Sequence, residues 1–250
     1  MNKLMVKKAI LHAVIWILLY IVIVNIGDAL SEQTGVPNSV TSGLIIAFSI
    51  VLVLYLKKNN WIEKFGIKRI TKKDLSKTIF YVPLILLAVI QFFAGIDTAL
   101  SITEIATFCL LMIGVGFIEE MIFRGFLFQG ILEKSGMIKA ILISGVTFGF
   151  GHIVNLLRGY GYEELMGQII VAIAIGITLA MLVAITKNIV PGILFHIIFN
   201  ISGSITRSGT NMEIYLMIAI LCITVFYGLY LSKSLSWKNG TAEIKDMPIS

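Results

Sequence analysis

The 250-residue chain is 58% hydrophobic and only 14% charged, with a mean hydropathy of +0.95. Such a composition excludes a soluble domain and defines a polytopic membrane protein. The formal charge of +6 reflects 20 basic against 14 acidic residues, and the two cysteines, Cys109 and Cys222, lie in apolar runs. They suggest neither a disulfide framework nor a thiolate metal site, and are read as core filler.

A first apolar run, from Ala9 to about Gly27, follows Lys3, Lys7 and Lys8. It is too long for a signal peptide and lacks a small-residue cleavage site, so it is read as a retained span with His12 and Asn25 as interfacial polar residues. A turn-prone stretch, Asp28 to Ser39, contains Gly35 and Pro37 and leads to a second span, Val40 to Leu56. The segment from Lys57 to Lys77 carries eight basic residues interleaved with Trp61, Ile62, Phe65, Ile67 and Ile70. It is expected along a cytoplasmic membrane surface, as topogenic charge with an interfacial aromatic anchor. A third span runs from Thr78 to about Gly95, with Pro83 near its start.

The fourth apolar segment, about Ser101 to Leu132, would measure roughly 48 Å as one helix, against a bilayer core of about 30 Å. It must tilt, bend or emerge, and Gly125 is one place to bend. The fifth, Met137 to Leu157, holds Gly145 and Gly149 at the spacing that lets helix backbones approach closely. Spans six (Leu165 to Thr186), seven (Ile189 to about Ser204) and eight (Met212 to Leu231) complete the count, with Pro191 opening the seventh where a missing amide donor matters least. The sequence therefore predicts an all-α helical bundle, a single integral membrane domain over 1–250 with about eight transmembrane helices. Of the twenty basic residues, all but Arg124, Arg158 and Arg207 collect on one side of that arrangement. The positive-inside rule then places both termini in the cytoplasm of a multi-pass cell-membrane protein. The charge excess is topogenic, membrane lipid is the surrounding partner, and nucleic acid is not an expected one.

Ionisable residues inside spans mark function by default, because burying them in lipid is costly. Glu119, Glu120 and Arg124 interrupt the fourth span. On a helix Glu120 and Arg124 meet on one face, while Glu119 is rotated about 100° away and is the freer carboxylate. His152 lies in the fifth span, and His196 and Asn200, four apart, project from one face of the seventh. Isolated polar groups there would be costly, so convergence on one site is expected. A carboxylate and an imidazole can activate water, and a second imidazole with a carboxamide can stabilise an oxyanion. Alternatively, Glu119, His152 and His196 make a His2Glu set suited to catalytic zinc. Both readings lead to hydrolysis of a carbonyl compound, most naturally a peptide bond. Counted along straight spans, however, His152 lies deeper in the bilayer than Glu119 and His196.

Glu119-Glu120-Met121-Ile122-Phe123-Arg124 resembles the EExxxR motif, Phe148-Gly149-Phe150-Gly151-His152 the FxxxH motif, and His196-Ile197-Ile198-Phe199-Asn200 the HxxxN motif of the CPBP family, also called Abi or CAAX-protease-like. The resemblance covers about residues 100–205, as a catalytic core. It implies an intramembrane endopeptidase in which Glu119 and His152 activate water and His196 and Asn200 stabilise the oxyanion, with Glu120, Arg124 and Phe148 in support. It also implies a mechanism that needs no metal, and a peptide or membrane-protein substrate of the kind met in CAAX trimming, peptide maturation or bacteriocin immunity. A proton-coupled transporter relaying protons through Glu119 and His152 is the alternative from another class, and a non-catalytic immunity or scaffold protein is a third.

Overall fold

The computed structural model describes residues 3–69, 80–207, 211–238 and 241–244. Apolar runs that cannot satisfy their backbone in lipid must fold as helices, and the chain is a helical bundle. Helix α1 (Lys3–Thr34) and α2 (Ser39–Lys58) form an antiparallel pair, followed by α3 (Val82–Val89) with a 3-10 extension, Ile90–Ala94. Next come α4 (Ile102–Glu120), a π-helical stretch (Met121–Leu127) and α5 (Phe128–Ser135), then α6 (Met137–Gly151) with a 3-10 extension, His152–Arg158. Helices α7 (Tyr162–Thr186), α8 (Val190–Ser204) and α9 (Asn211–Lys233) follow, and a small hairpin of β1 (Leu235–Lys238) and β2 (Thr241–Ile244) adds the only strands among the described residues.

Among the described residues, six helical segments, Ile102–Ser135 taken as one, are long and apolar enough to cross a membrane, and Val82–Ala94 and Val190–Ser204 are shorter apolar helices, which accounts for the eight segments expected. This is a multi-pass membrane protein. Its outward residues are apolar, with Leu11, Leu18, Ile85, Phe93 and Phe226 among those exposed.

Several sequence-based expectations need correction. Helix α1 runs on to Thr34, through half of the stretch read as a turn. Asp28 holds that extension in place, accepting from Thr41 Oγ1 at 2.8 Å and pairing with Arg158 at 2.8 Å. His12 is not a lone interfacial residue. Its Nε2 lies 2.9 Å from Tyr55 Oη and accepts from Trp16 Nε1 at 3.0 Å, and its ring packs against Trp61 and Phe126. Trp61 and Phe65 pack onto this aromatic cluster, and the described part of the segment after α2 forms turns. Residues 70–77 of that basic segment, and the first two residues of the expected third span, lie outside the described residues. Cys222 is exposed and Cys109 only half-buried, so neither fills the core.

Two packing features position the site. Gly145 and Gly149 set α6 directly against α7: a Cβ on Gly145 would lie 2.6 Å from the Ile177 nitrogen, and one on Gly149 2.8 Å from that of Ile173. The long fourth segment does depart from α-geometry, over Met121–Leu127 rather than at a simple kink, and every residue of that stretch is buried. Gly125 lies within it, where a Cβ would press on the Met121 methyl at 2.9 Å, and Ser144 Oγ of α6 donates to the Phe123 carbonyl at 2.8 Å. Such π-segments concentrate at functional sites.

Candidate active site

The two glutamates close α4 just before the π-stretch, and their side chains diverge as adjacent helical residues must. Glu120 Oε1 pairs with Arg124 Nη1 at 2.9 Å, with both side chains 0% exposed. Arg124 also donates through Nη2 to the Gly176 carbonyl of α7 at 3.3 Å, and its guanidinium carbon stacks over the Phe148 ring, 4.3 Å from the centroid. Three buried atoms of this pair, Glu120 Oε2, Arg124 Nε and Arg124 Nη1, have no hydrogen-bond partner among the described residues, Nη1 meeting Glu120 as an ion pair only.

Helix α8 reaches the glutamates because Gly116 admits it. A Cβ there would stand 3.0 Å from the Ile197 nitrogen. The neighbouring His196 is thereby placed between the two carboxylates, with Nδ1 3.1 Å from Glu120 Oε1 and Nε2 3.3 Å from Glu119 Oε2. A neutral imidazole has one N–H and can donate to only one of them. Glu119, the freer carboxylate by spacing, therefore faces a histidine of α8.

His152 opens the 3-10 turn that ends α6. Its Nδ1 lies 3.1 Å from the Phe148 carbonyl. A carbonyl can only accept, so Nδ1 carries the proton, and in the neutral ring Nε2 is left as a basic acceptor. The Phe148 ring meets both histidines edge-on, with centroids 5.2 Å from His152 and 5.5 Å from His196. Phe148 thus stands between the two histidine rings. No hydrogen bond joins Glu119 to His152 among the described residues.

Glu119, Phe148, His152, His196 and Asn200 all line one cavity of about 1030 Å³. Asn200 sits one turn beyond His196 on α8, and its carboxamide has no hydrogen-bond partner among the described residues. The Glu119 side chain is 14% exposed, open to the cavity where Glu120 is sealed from it. The residues of the His2Glu set, Glu119, His152 and His196, also line this cavity. His196 spends both nitrogens on the glutamates, Phe148 packs against both histidine rings, and among the described residues no group of three or more His, Cys, Asp or Glu side chains could hold a metal ion.

Residues 101–202 match the family model described as Type II CAAX prenyl endopeptidase Rce1-like. The match covers less than half of the chain and supports a likeness of that segment to the CPBP, or CAAX protease, family. The CPBP match covers α4 through most of α8 and so contains every residue of the three motifs. No curated protein and no solved structure matches the chain. Two further polar residues lie outside the CPBP segment and were not singled out in the sequence. Tyr20 of α1 donates to Glu119 Oε1 at 2.8 Å. Gln91 donates through Nε2 to the Phe199 carbonyl at 2.7 Å and to Ser202 Oγ at 2.9 Å, anchoring the α8 turn that carries Asn200. A lone Tyr or Gln in an apolar run carries little signal. The cost of burying an unpartnered hydroxyl or amide was the clue available.

Proposed function

We propose that the chain is a CAAX-protease-like intramembrane endopeptidase that hydrolyses a peptide bond with water activated by Glu119 and His152. The observation that carries this reading is the convergence of Glu119, His152, His196 and Asn200 on one cavity within membrane-spanning helices, inside the segment matched by the CAAX prenyl endopeptidase family. Water bound between Glu119 and His152 Nε2 gives a proton to Glu119 and attacks the scissile carbonyl; as the tetrahedral intermediate collapses, the C–N bond breaks and that proton passes to the leaving amine. Asn200 Nδ2 donates to the developing oxyanion. His196 adds a second donor as Glu119 takes up the proton and releases the imidazole N–H. Glu120 and Arg124, sealed beneath, hold the His196 ring. No step in this scheme needs a metal. The likeness to a CAAX prenyl endopeptidase supports a membrane-associated peptide or protein with a C-terminal CAAX-type sequence as substrate, and the apolar helices support a membrane, here taken as the cell membrane, as the working site.

The test is turnover of an internally quenched, farnesylated CAAX peptide by the full-length chain in liposomes. Wild type is expected to cut it, with activity surviving exhaustive chelation, and Glu119→Gln to lose about 10² to 10⁴-fold in rate. No cleavage by wild type, with solute uptake driven by an ion gradient instead, would replace the peptidase by a transporter. Activity lost on chelation and restored by stoichiometric zinc would replace the metal-free scheme.

A further inference from the structure

Glu119 is held by a residue from outside the CPBP segment. Tyr20 donates its phenolic hydrogen to Oε1 at 2.8 Å, while His196 Nε2 faces Oε2 at 3.3 Å, so one donor group addresses each carboxylate oxygen. The terminal torsion of a glutamate is broad and weakly restrained, and a carboxylate left to itself samples many orientations. Two groups on opposite oxygens fix its plane. A carboxylate offers about four lone-pair sites, so occupation of one per oxygen still leaves acceptor capacity for water.

Tyr20 is itself well fixed. Its ring is half-buried against the core and borders the cavity. Eight residues before it, His12 contacts Tyr55 of α2 at 2.9 Å, and eight residues after it, Asp28 holds Thr41 and Arg158 at 2.8 Å each. Helix α1 is therefore tied to its neighbours about 12 Å to either side of Tyr20. The hydroxyl reaches Glu119 from a helix clamped both above and below.

We propose that Tyr20 is a positioning residue for the general base: α1 delivers a phenol that fixes the rotation of the Glu119 carboxylate, and the active site is incomplete without this helix. The proposal rests on the peptidase reading above. The competing role is packing, with the Tyr20–Glu119 bond merely pinning α1 to α4.

The experiment compares full-length wild type, Tyr20→Phe, Glu119→Gln and the double variant in liposomes with the quenched farnesylated peptide. Tyr20→Phe keeps the ring and removes only the donor. It is expected to lower kcat about 10- to 100-fold, the factor that corresponds to a hydrogen bond on a charged group, with KM within about two-fold of wild type. In the Glu119→Gln background it should take nothing further from the residual rate, because its effect passes through that carboxylate. A proportional loss in both backgrounds would assign Tyr20 to packing and overturn the proposal. So would unchanged kcat, or failure of Tyr20→Phe to fold, since a positioning hydroxyl is dispensable for folding. A wild-type chain without turnover overturns the peptidase reading and the proposal together; an active wild type matched by Tyr20→Phe overturns the proposal alone.

Discussion

Adjacent residues can share a motif and still do different work, and Glu119 and Glu120 are separated by burial and partner. Glu120 is fully enclosed with Arg124, and removing one partner of a buried pair leaves an uncompensated charge, at a cost of about 3–5 kcal/mol. Glu120→Gln is therefore expected to lower thermal stability first and turnover as a consequence, while Glu119→Gln loses turnover with little change in melting temperature. Equal loss of activity at unchanged stability for both would erase the distinction. Asn200 calls for a different measurement, because its carboxamide borders the cavity and, among the described residues, hydrogen-bonds to no neighbouring helix. Asn200→Ala should stay folded, keep KM within a few-fold and lose about 10² to 10³-fold in kcat; near-normal kcat would remove it from the oxyanion site. Much of this was legible from spacing alone, since the i, i+4 rule pairs Glu120 with Arg124 and puts His196 and Asn200 on one face. Spacing could not show His196 lodged between both glutamates, because that depends on how closely α8 approaches α4. Nor could it single out Tyr20 from the other aromatic residues of the first span.

At the scale of elements, hydropathy located the spans well and their ends poorly. Helix α1 outruns its apolar stretch because Asp28 and Ser31 find partners in Thr41, on α2, and a satisfied polar side chain no longer terminates a helix. The π-stretch after Glu120 was invisible in sequence, where only excess length and Gly125 hinted at a departure from α-geometry. The glycine pair in α6 was the clearest element-level signal. Ideal Cβ atoms at Gly145 and Gly149 meet the backbone of α7, which cannot yield as a side-chain tip can. Gly145→Ala and Gly149→Ala should each destabilise the protein by about 1–3 kcal/mol through overpacking. Gly149 adjoins Phe148 and lies one turn before His152, so its substitution should also slow turnover in the fraction that remains folded. Gly43→Ala, at a glycine with nothing within 4 Å, is the control for changing glycine in a span. Melting temperatures of the three variants decide the matter, and a Gly145→Ala protein as stable as Gly43→Ala would contradict the close α6–α7 packing.

At the scale of the whole molecule, charge along the sequence and contacts between loops divide the chain in the same way. At one end, the Ile189 amide donates to the Gly66 carbonyl at 2.9 Å and Asn188 Nδ2 to that of Lys68 at 3.1 Å, so the basic segment after α2 shares an end with the α7–α8 turn and Lys187. At the other end, Thr107 Oγ1 donates to the Pro37 carbonyl at 3.0 Å, the Arg207 amide to Gly95 at 3.0 Å, and Arg158 pairs with Asp28. The α1–α2, α3–α4, α6–α7 and α8–α9 connections are thereby gathered opposite the basic ones, as eight alternating segments require. Arg158 and Arg207, the two loop cations left over in the sequence count, both fall at this second end. Charge alone could sort the loops by side, but not say which of them touch. Lys and Arg near short loops favour the cytoplasmic face, so the end holding Gly66 and Lys187 should face inward. In a Cys109→Ser, Cys222→Ser background, an impermeant maleimide applied to intact cells should label Gln33→Cys directly. It should reach Lys68→Cys and Lys233→Cys only after permeabilisation. Gln33 and Lys68 flank α2, so labelling of both from outside would mean that α2 fails to cross the membrane and would break the alternation. Labelling of Lys68→Cys and Lys233→Cys alone would keep the fold and reverse its orientation. That result would turn the end bearing Arg158 toward the cytoplasm, against a charge asymmetry that includes nearly every cation in the chain.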